Sequence, residues 1–226
     1  MSRHLQRDIE RLHHEVLTQA GRVEQMISDA VSALCGRRYD LIANVQGQDD
    51  FVDKKEVELE EECLKLIALH QPVAEDLRRI ATIMKLNAYL ERIADLACNI
   101  VERADAIQAF PYFPTPEGLA SMAENATEML RLALDAFVNS DSKTAGRVLL
   151  LEDRVDEQNR EIIADLECLL RQDPTLVDPA LQIFSAARHI EEVADHAENV
   201  AEEVIYMIDG EIIRHKHTQF IKRNNG

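Results

Sequence analysis

The chain has no tryptophan and contains few of the residues that interrupt helices. Among its 226 residues there are 7 glycines, 6 prolines and 4 cysteines. Because glycine and proline are the least favourable residues in a helix interior, their scarcity favours long, uninterrupted helices. Hydrophobic residues make up 46% of the chain, which is enough for a substantial core and excludes a disordered protein. The composition therefore predicts an all-α fold.

Positive charge is also in short supply. The sequence has 25 lysines and arginines against 42 aspartates and glutamates, which gives a net charge of −17. A surface this acidic repels nucleic acids and anionic membranes, so we expect no nucleic-acid partner. Cations and basic protein surfaces fit this charge better.

Long apolar runs and paired cysteines are absent as well. No segment approaches the roughly 20 apolar residues that a membrane span requires, so we expect no direct membrane insertion. Charges occur throughout the first thirty residues, unlike the apolar segment of a signal peptide. The cysteines form no CxxC pair and suit small, reduced core positions. We therefore expect a cytoplasmic protein.

A hydrophobic pattern typical of an amphipathic helix occurs twice, one hundred residues apart. Apolar residues recur at intervals of three and four from Ile83 to Ile107 and again from Ile183 to Met207. This spacing predicts a buried helical face, and its recurrence indicates a duplicated unit. Polar residues repeat at the same distance, with Glu91, Asp95, Asn99 and Glu102 matched by Glu191, Asp195, Asn199 and Glu202.

The clearest break in the helical pattern is the proline-rich segment from Phe110 to Pro116. We place a boundary there, with a first three-helix repeat in residues 1–110 and a second, with a C-terminal tail, in residues 111–226. The predicted helices span about residues 2–34, 40–70, 72–110, 116–140, 141–172 and 179–209. Short connections make consecutive helices antiparallel neighbours, so we predict two tandem, elongated three-helix bundles.

Each half carries an acidic pair on its second helix and another on its third. In every pair the acids are four residues apart: Asp49 and Asp53, Glu91 and Asp95, Glu152 and Asp156, Glu191 and Asp195. Carboxylates at this spacing share a helical face and repel one another unless a cation lies between them. Two facing helices would supply an all-oxygen ligand set, which suits Mg, Ca, Mn or iron.

Acidic pairs at this spacing also arise without any metal. At this composition roughly eight would occur by chance, most of them on a solvated face. The four pairs stand out because they occupy equivalent positions in both repeats. Asn99, Asn199 and His196 are candidate additional ligands, although such a histidine is more often a hydrogen-bonded residue at the core edge. Phosphate-binding loops and nucleophile motifs are absent from the sequence.

Three segments, residues 60–80, 90–104 and 191–215, closely resemble the PhoU family of phosphate-uptake regulators. They contain Gln-Pro-x-Ala-x-Asp-Leu-Arg at 71–78, the duplicated Glu-x-x-x-Asp, and Gly-x-x-x-Arg-His at 210–215. The resemblance covers nearly the whole chain. It implies two three-helix bundles, a homodimer, and multinuclear metal clusters on the bundle surface.

The resemblance also implies specific metal ligands. The first cluster would use Asp49, Asp53, Glu91 and Asp95, and the second Glu152, Asp156, Glu191 and Asp195. The metal would be iron, with Zn, Mn, Mg and Ca as alternatives. The family's Arg-Ile-Gly-Asp is Arg-Ile-Ala-Asp at 92–95 and Glu-Val-Ala-Asp at 192–195, so the second repeat is less typical.

The function implied by the resemblance is regulatory rather than enzymatic. Such a protein would bind the ATPase of the high-affinity phosphate ABC transporter and a sensor histidine kinase, and would repress the phosphate-starvation response. Two alternatives stay open, a metal-dependent enzyme that uses the duplicated carboxylates and a purely structural helical scaffold. Against an enzyme, the sequence offers no evident base or nucleophile beside the carboxylates.

Overall fold

The computed structural model describes residues 3–214, and this part of the chain consists of helices without any strand. The seven α-helices are α1 Arg3–Cys35, α2 Ile42–His70, α3 Ala74–Ile107, α4 Gly118–Asn139, α5 Ser142–Val148, α6 Glu152–Gln172 and α7 Val177–Asp209. Short 3-10 turns precede α2 and α7. The predicted all-α fold is confirmed. The expected helix start at Ser2 and the tail residues 215–226 lie outside the described range.

The predicted fifth helix is wrong as a single element, because a turn at residues 149–151 divides it into α5 and α6. Hydrogen bonds from Leu150 N to Arg147 O and from Leu151 N to Val148 O replace the α-helical pattern with the tighter 3-10 one. The apolar spacing continues through the turn, which is why the hydrophobic pattern hides it. Gly146 is the one local sign of weakness in the helix.

The third helix also begins later than predicted. Gln71 adopts a left-handed conformation with φ 45°, and its N–H donates to Ile67 O, which ends α2. Pro72 therefore belongs to the turn, and α3 begins only at Ala74. In contrast, Pro179 lies within the first turn of α7. Backbone N–H groups in that turn have no partner within the helix, so the missing N–H of proline costs no hydrogen bond.

The two repeated helices, α3 and α7, form the centre of the molecule. They share the most extensive helix contact, while α1 and α2 pack on α3, and α4, α5 and α6 pack on α7. Thr82 contacts Glu203 and Tyr89 contacts His196, so the two helices run antiparallel. Every residue of the predicted apolar stripes is buried in both copies. The repeat therefore describes the core of each half and the contact between the halves.

The connection between α3 and α4, residues 108–117, contains the break that the sequence indicated. Phe113 is buried there, whereas Tyr112 is 96% exposed. The proposed division between residues 110 and 111 falls within this connection and stays a prediction. Across the described helices, none is both long and apolar enough to span a membrane.

Candidate functional site

Three carboxylates of the first repeat come together where α2 packs on α3. Asp49, Asp53 and Asp95 each offer an oxygen atom, and these atoms all lie within 4.8 Å of one another. Buried Val45 and Val52 hold α2 in place, so the acids lie at the edge of the core. A metal ion about 2.0–2.6 Å from its oxygen ligands spans roughly 4–5 Å across opposite ligands. The group therefore has dimensions that a cation fits with small side-chain adjustments.

The electrostatics of this first cluster reflect crowded negative charge. Burial and the nearby Asp49 and Asp53 raise the pKa of Asp95. Burial and Asp95 likewise raise the pKa of Glu91, the fourth predicted ligand, which lies outside the tight group of three. Arg92 opposes both shifts, with Nη1 3.6 Å from Asp95 Oδ2 and Nε 3.6 Å from Glu91 Oε2. A bound cation would relieve the same repulsion more completely.

Two residues at this cluster escaped the sequence analysis. The Cys98 thiol donates to Asp49 Oδ1 at 3.5 Å, and burial raises its pKa to about 12. The pKa of Glu56 is raised by burial and by the charges of Glu60 and Asp53. Each residue follows a predicted ligand on its own helix by three positions, a spacing that shares one face and could have identified both.

The cysteines as a group only partly follow the prediction of small, reduced core residues. All four are free thiols. Cys63 is buried, whereas Cys35 and Cys98 are half-buried and Cys168 is exposed on α6. The assignment of Cys168 to the core was wrong, because its position on α6 lies outside the stripe formed by Ile162 and Leu166.

In the second repeat the four predicted acids act on one another electrostatically. Burial and the charges of Glu191, Asp156 and Glu152, in that order, raise the pKa of Asp195 to about 6. These carboxylates form no group of three as close as the first among residues 3–214. The second site is therefore a looser cluster around a more strongly perturbed aspartate.

Arginines occupy part of this second cluster. Arg160 Nη2 lies 3.2 Å from Asp156 Oδ2, and Arg188 Nη1 lies 2.9 Å from Glu191 Oε1. A metal ion would have to displace or share these contacts. Asn199 Nδ2 donates to the backbone oxygen of Asp195 at 2.8 Å, so its amide supports the helix. Asn99 is half-buried on α3.

His196 lies at the contact between the repeats. Its ring centroid is 5.9 Å from that of Tyr89, and both residues line a cavity of about 480 Å³ with Glu56, Glu91 and Arg92. Burial lowers the pKa of His196, and its Nδ1 atom is buried without a hydrogen-bond partner. The structure thus places this candidate ligand beside residues of the first repeat.

These features define an acidic helical repeat protein with carboxylate clusters at equivalent places in its two halves. The family model for the PhoU domain matches the chain twice, over residues 16–104 and 119–204. On these matches and the relatives below, the chain belongs to the PhoU family.

Named relatives share both sequence and fold with the chain. The "phosphate-specific transport system accessory protein PhoU homolog" of Deinococcus radiodurans is 34% identical, over 91% of this chain and 97% of that protein. The "phosphate-specific transport system accessory protein PhoU" of Escherichia coli (strain K12) is 33% identical, over 92% and 86%. The crystal structure of PhoU from Pseudomonas aeruginosa superposes with a TM-score of 0.87 at 32% identity, covering 91% of this chain and 99% of that one.

Proposed function

We propose that this chain is a cytoplasmic, non-enzymatic regulator of phosphate uptake. It binds the ATPase of the high-affinity phosphate ABC transporter and a sensor histidine kinase, and it represses the phosphate-starvation response as a homodimer. The role is supported by relatives that are named accessory proteins of the phosphate-specific transport system and align over most of both chains.

The carboxylate clusters supply a metal-dependent surface for this role. The observation that carries the metal is the convergence of Asp49, Asp53 and Asp95 within 4.8 Å. Glu91 would complete a first cluster, and the second would use Glu152, Asp156, Glu191 and Asp195. A bound metal, with iron the leading candidate, would neutralise crowded carboxylates and present a cationic centre to a partner.

The metal part of the proposal predicts a clear contrast between two aspartates of α2 that are three residues apart. Asp53→Asn removes a ligand of the close group, whereas Asp50→Asn makes the same charge change at an exposed residue of α2 outside that group. Elemental analysis of untagged protein should show metal in the wild type and Asp50→Asn but a clear loss in Asp53→Asn. Equal metal content in both variants would contradict the site.

Partner binding is tested on the same three proteins. Transporter ATPase immobilised on a sensor surface should bind the wild type and Asp50→Asn with equal affinity. It should bind Asp53→Asn about tenfold more weakly, because the charge-assisted contact with the metal centre is lost. Failure of every form to bind the ATPase would refute docking. Undiminished binding by metal-free Asp53→Asn would separate docking from the metal.

A further inference from the structure

A polar cavity of about 410 Å³ lies between the start of α3 and the ends of α4 and α7. It is lined by Glu75, Arg78, Arg79, Ser140, Met207 and Ile208. We propose that this cavity binds a tetrahedral oxyanion, and that inorganic phosphate is the form that its groups fit. This site is separate from the carboxylate clusters and does not depend on the function proposed above.

Arg78 is held in place for such a role. Its Nε lies 3.5 Å from the backbone oxygen of Met207, at the C-terminal end of α7. Its guanidinium also lies against Gly210, where an added Cβ would be 3.6 Å from Cζ. These two contacts, one through Nε and one through a face of the group, fix the plane of the guanidinium. The two terminal nitrogens stay available to donate to other acceptors.

Neither arginine of the cavity is neutralised by an acid. Although acids outnumber bases 42 to 25 in the chain, neither Arg78 nor Arg79 makes an ion pair within residues 3–214. Most other arginines that line helix surfaces pair with a carboxylate, as Arg131 does with Glu128. Two guanidiniums that line one cavity without such partners provide the fork-shaped donors that bind phosphate oxygens in bidentate fashion.

The pair of arginines is not a by-product of the duplicated core. The repeat places Asp178 and Pro179 at the positions that correspond to Arg78 and Arg79, one hundred residues later. Phe110 likewise corresponds to Gly210, so the equivalent position after α3 lacks the space that Arg78 uses beside Gly210. The cavity therefore lies among α3 of the first repeat and α4 and α7 of the second, and the duplicated pattern does not repeat its two arginines.

The other polar groups of the cavity favour phosphate over sulfate. Ser140 adds a hydroxyl donor, and Glu75 adds a carboxylate acceptor. Phosphate near neutral pH keeps a proton on one oxygen and can donate it to Glu75. Sulfate carries no such proton, so the same carboxylate repels it.

The test is calorimetric titration of the full, chelator-treated chain with phosphate and, separately, with sulfate. Chelation removes metal ions that would bind phosphate at the carboxylate clusters. We expect one saturable phosphate site and weaker sulfate binding. Arg79→Gln should weaken phosphate binding about tenfold or more, because a charge-assisted hydrogen bond is lost. Arg154→Gln, which makes the same charge change at an exposed residue of α6, should leave phosphate affinity unchanged.

Glu75→Gln provides the second variant, since it should bring sulfate affinity close to that of phosphate. Far-ultraviolet circular dichroism establishes that each variant is folded. No saturable phosphate binding up to about 10 mM, or equal weakening by Arg79→Gln and Arg154→Gln, would overturn the proposal. Binding of a phosphoserine peptide without binding of free phosphate would overturn it as well, and would assign the cavity to a phosphoprotein.

Discussion

Replacing Asp195 by asparagine should stabilise the metal-free protein at high pH. The folded structure raises the pKa of Asp195 from 3.8 to about 6, through burial and then the charge of Glu191. A shift of this size corresponds to about 3 kcal/mol at full strength. Because the side chain is only half-buried, solvent screening reduces the cost to about 1–2 kcal/mol. The neutral amide removes this cost.

The effect must depend on pH with a defined sign. A folded-state pKa above the unfolded value means that the folded protein binds the proton more tightly. The cost is therefore complete above about pH 7, shrinks as the pH falls through 6, and disappears below 3.8, where Asp195 is protonated in both the folded and the unfolded state. The stability gain of Asp195→Asn should shrink over the same interval.

Urea unfolding followed by circular dichroism, in chelator and at a series of pH values, measures this gain. The matched control is Asp165→Asn at an exposed residue of α6, and its free energy of unfolding should differ little from that of the wild type at any pH. Adding metal should stabilise the wild type by about 2.7 kcal/mol at one hundred times its dissociation constant, and Asp195→Asn by less. A variant that is destabilised at pH 8, or a gain that is independent of pH, would refute the reasoning.

Two further predictions concern the end of α7. Glu203→Gln should lower the free energy of unfolding by about 1–2 kcal/mol, because buried Glu203 loses its charge 2.8 Å from Lys85 Nζ, and Glu161→Gln on an exposed face should not. Gly210→Ala should cost about 1 kcal/mol since Gly210 has φ +71°, whereas Gly21→Ala within α1 should be stabilising. Both comparisons use urea unfolding, and a reversed order within either pair would contradict the structural explanation.

Hydrophobic periodicity predicted the fold well because the burial of apolar side chains determines how the helices pack. Every stripe residue of α3 and α7 is buried, so a pattern visible in the sequence corresponds to the dominant stabilising interaction. The failures occurred where backbone hydrogen bonding decides. Neither the turn at residues 149–151 nor the left-handed Gln71 alters the apolar spacing, so hydrophobic periodicity does not reveal either feature.

The candidate site could be predicted only in part for a related reason. Acids on one helix are related by a fixed spacing, so Asp49 with Asp53 and Glu91 with Asp95 were visible as pairs. Which pair faces which across two helices depends on packing, and the structure brings Asp95, rather than Glu91, into the close group. His196 shows the limit most clearly, because its neighbours Tyr89 and Glu91 belong to the other repeat.

The contacts between the repeats also explain why duplication does not produce two independent units. Lys85 of α3 binds Glu203 of α7, and Arg214 reaches the same carboxylate at 3.2 Å. The residues that correspond to Lys85 and Glu203 in the repeat are Ser185 and Arg103, which cannot form the same ion pair. Because Lys85 belongs to the first repeat, unfolding of that half alone would take from buried Glu203 its 2.8 Å contact with Lys85 Nζ. The two halves therefore stabilise each other through polar contacts that the repeated pattern does not contain.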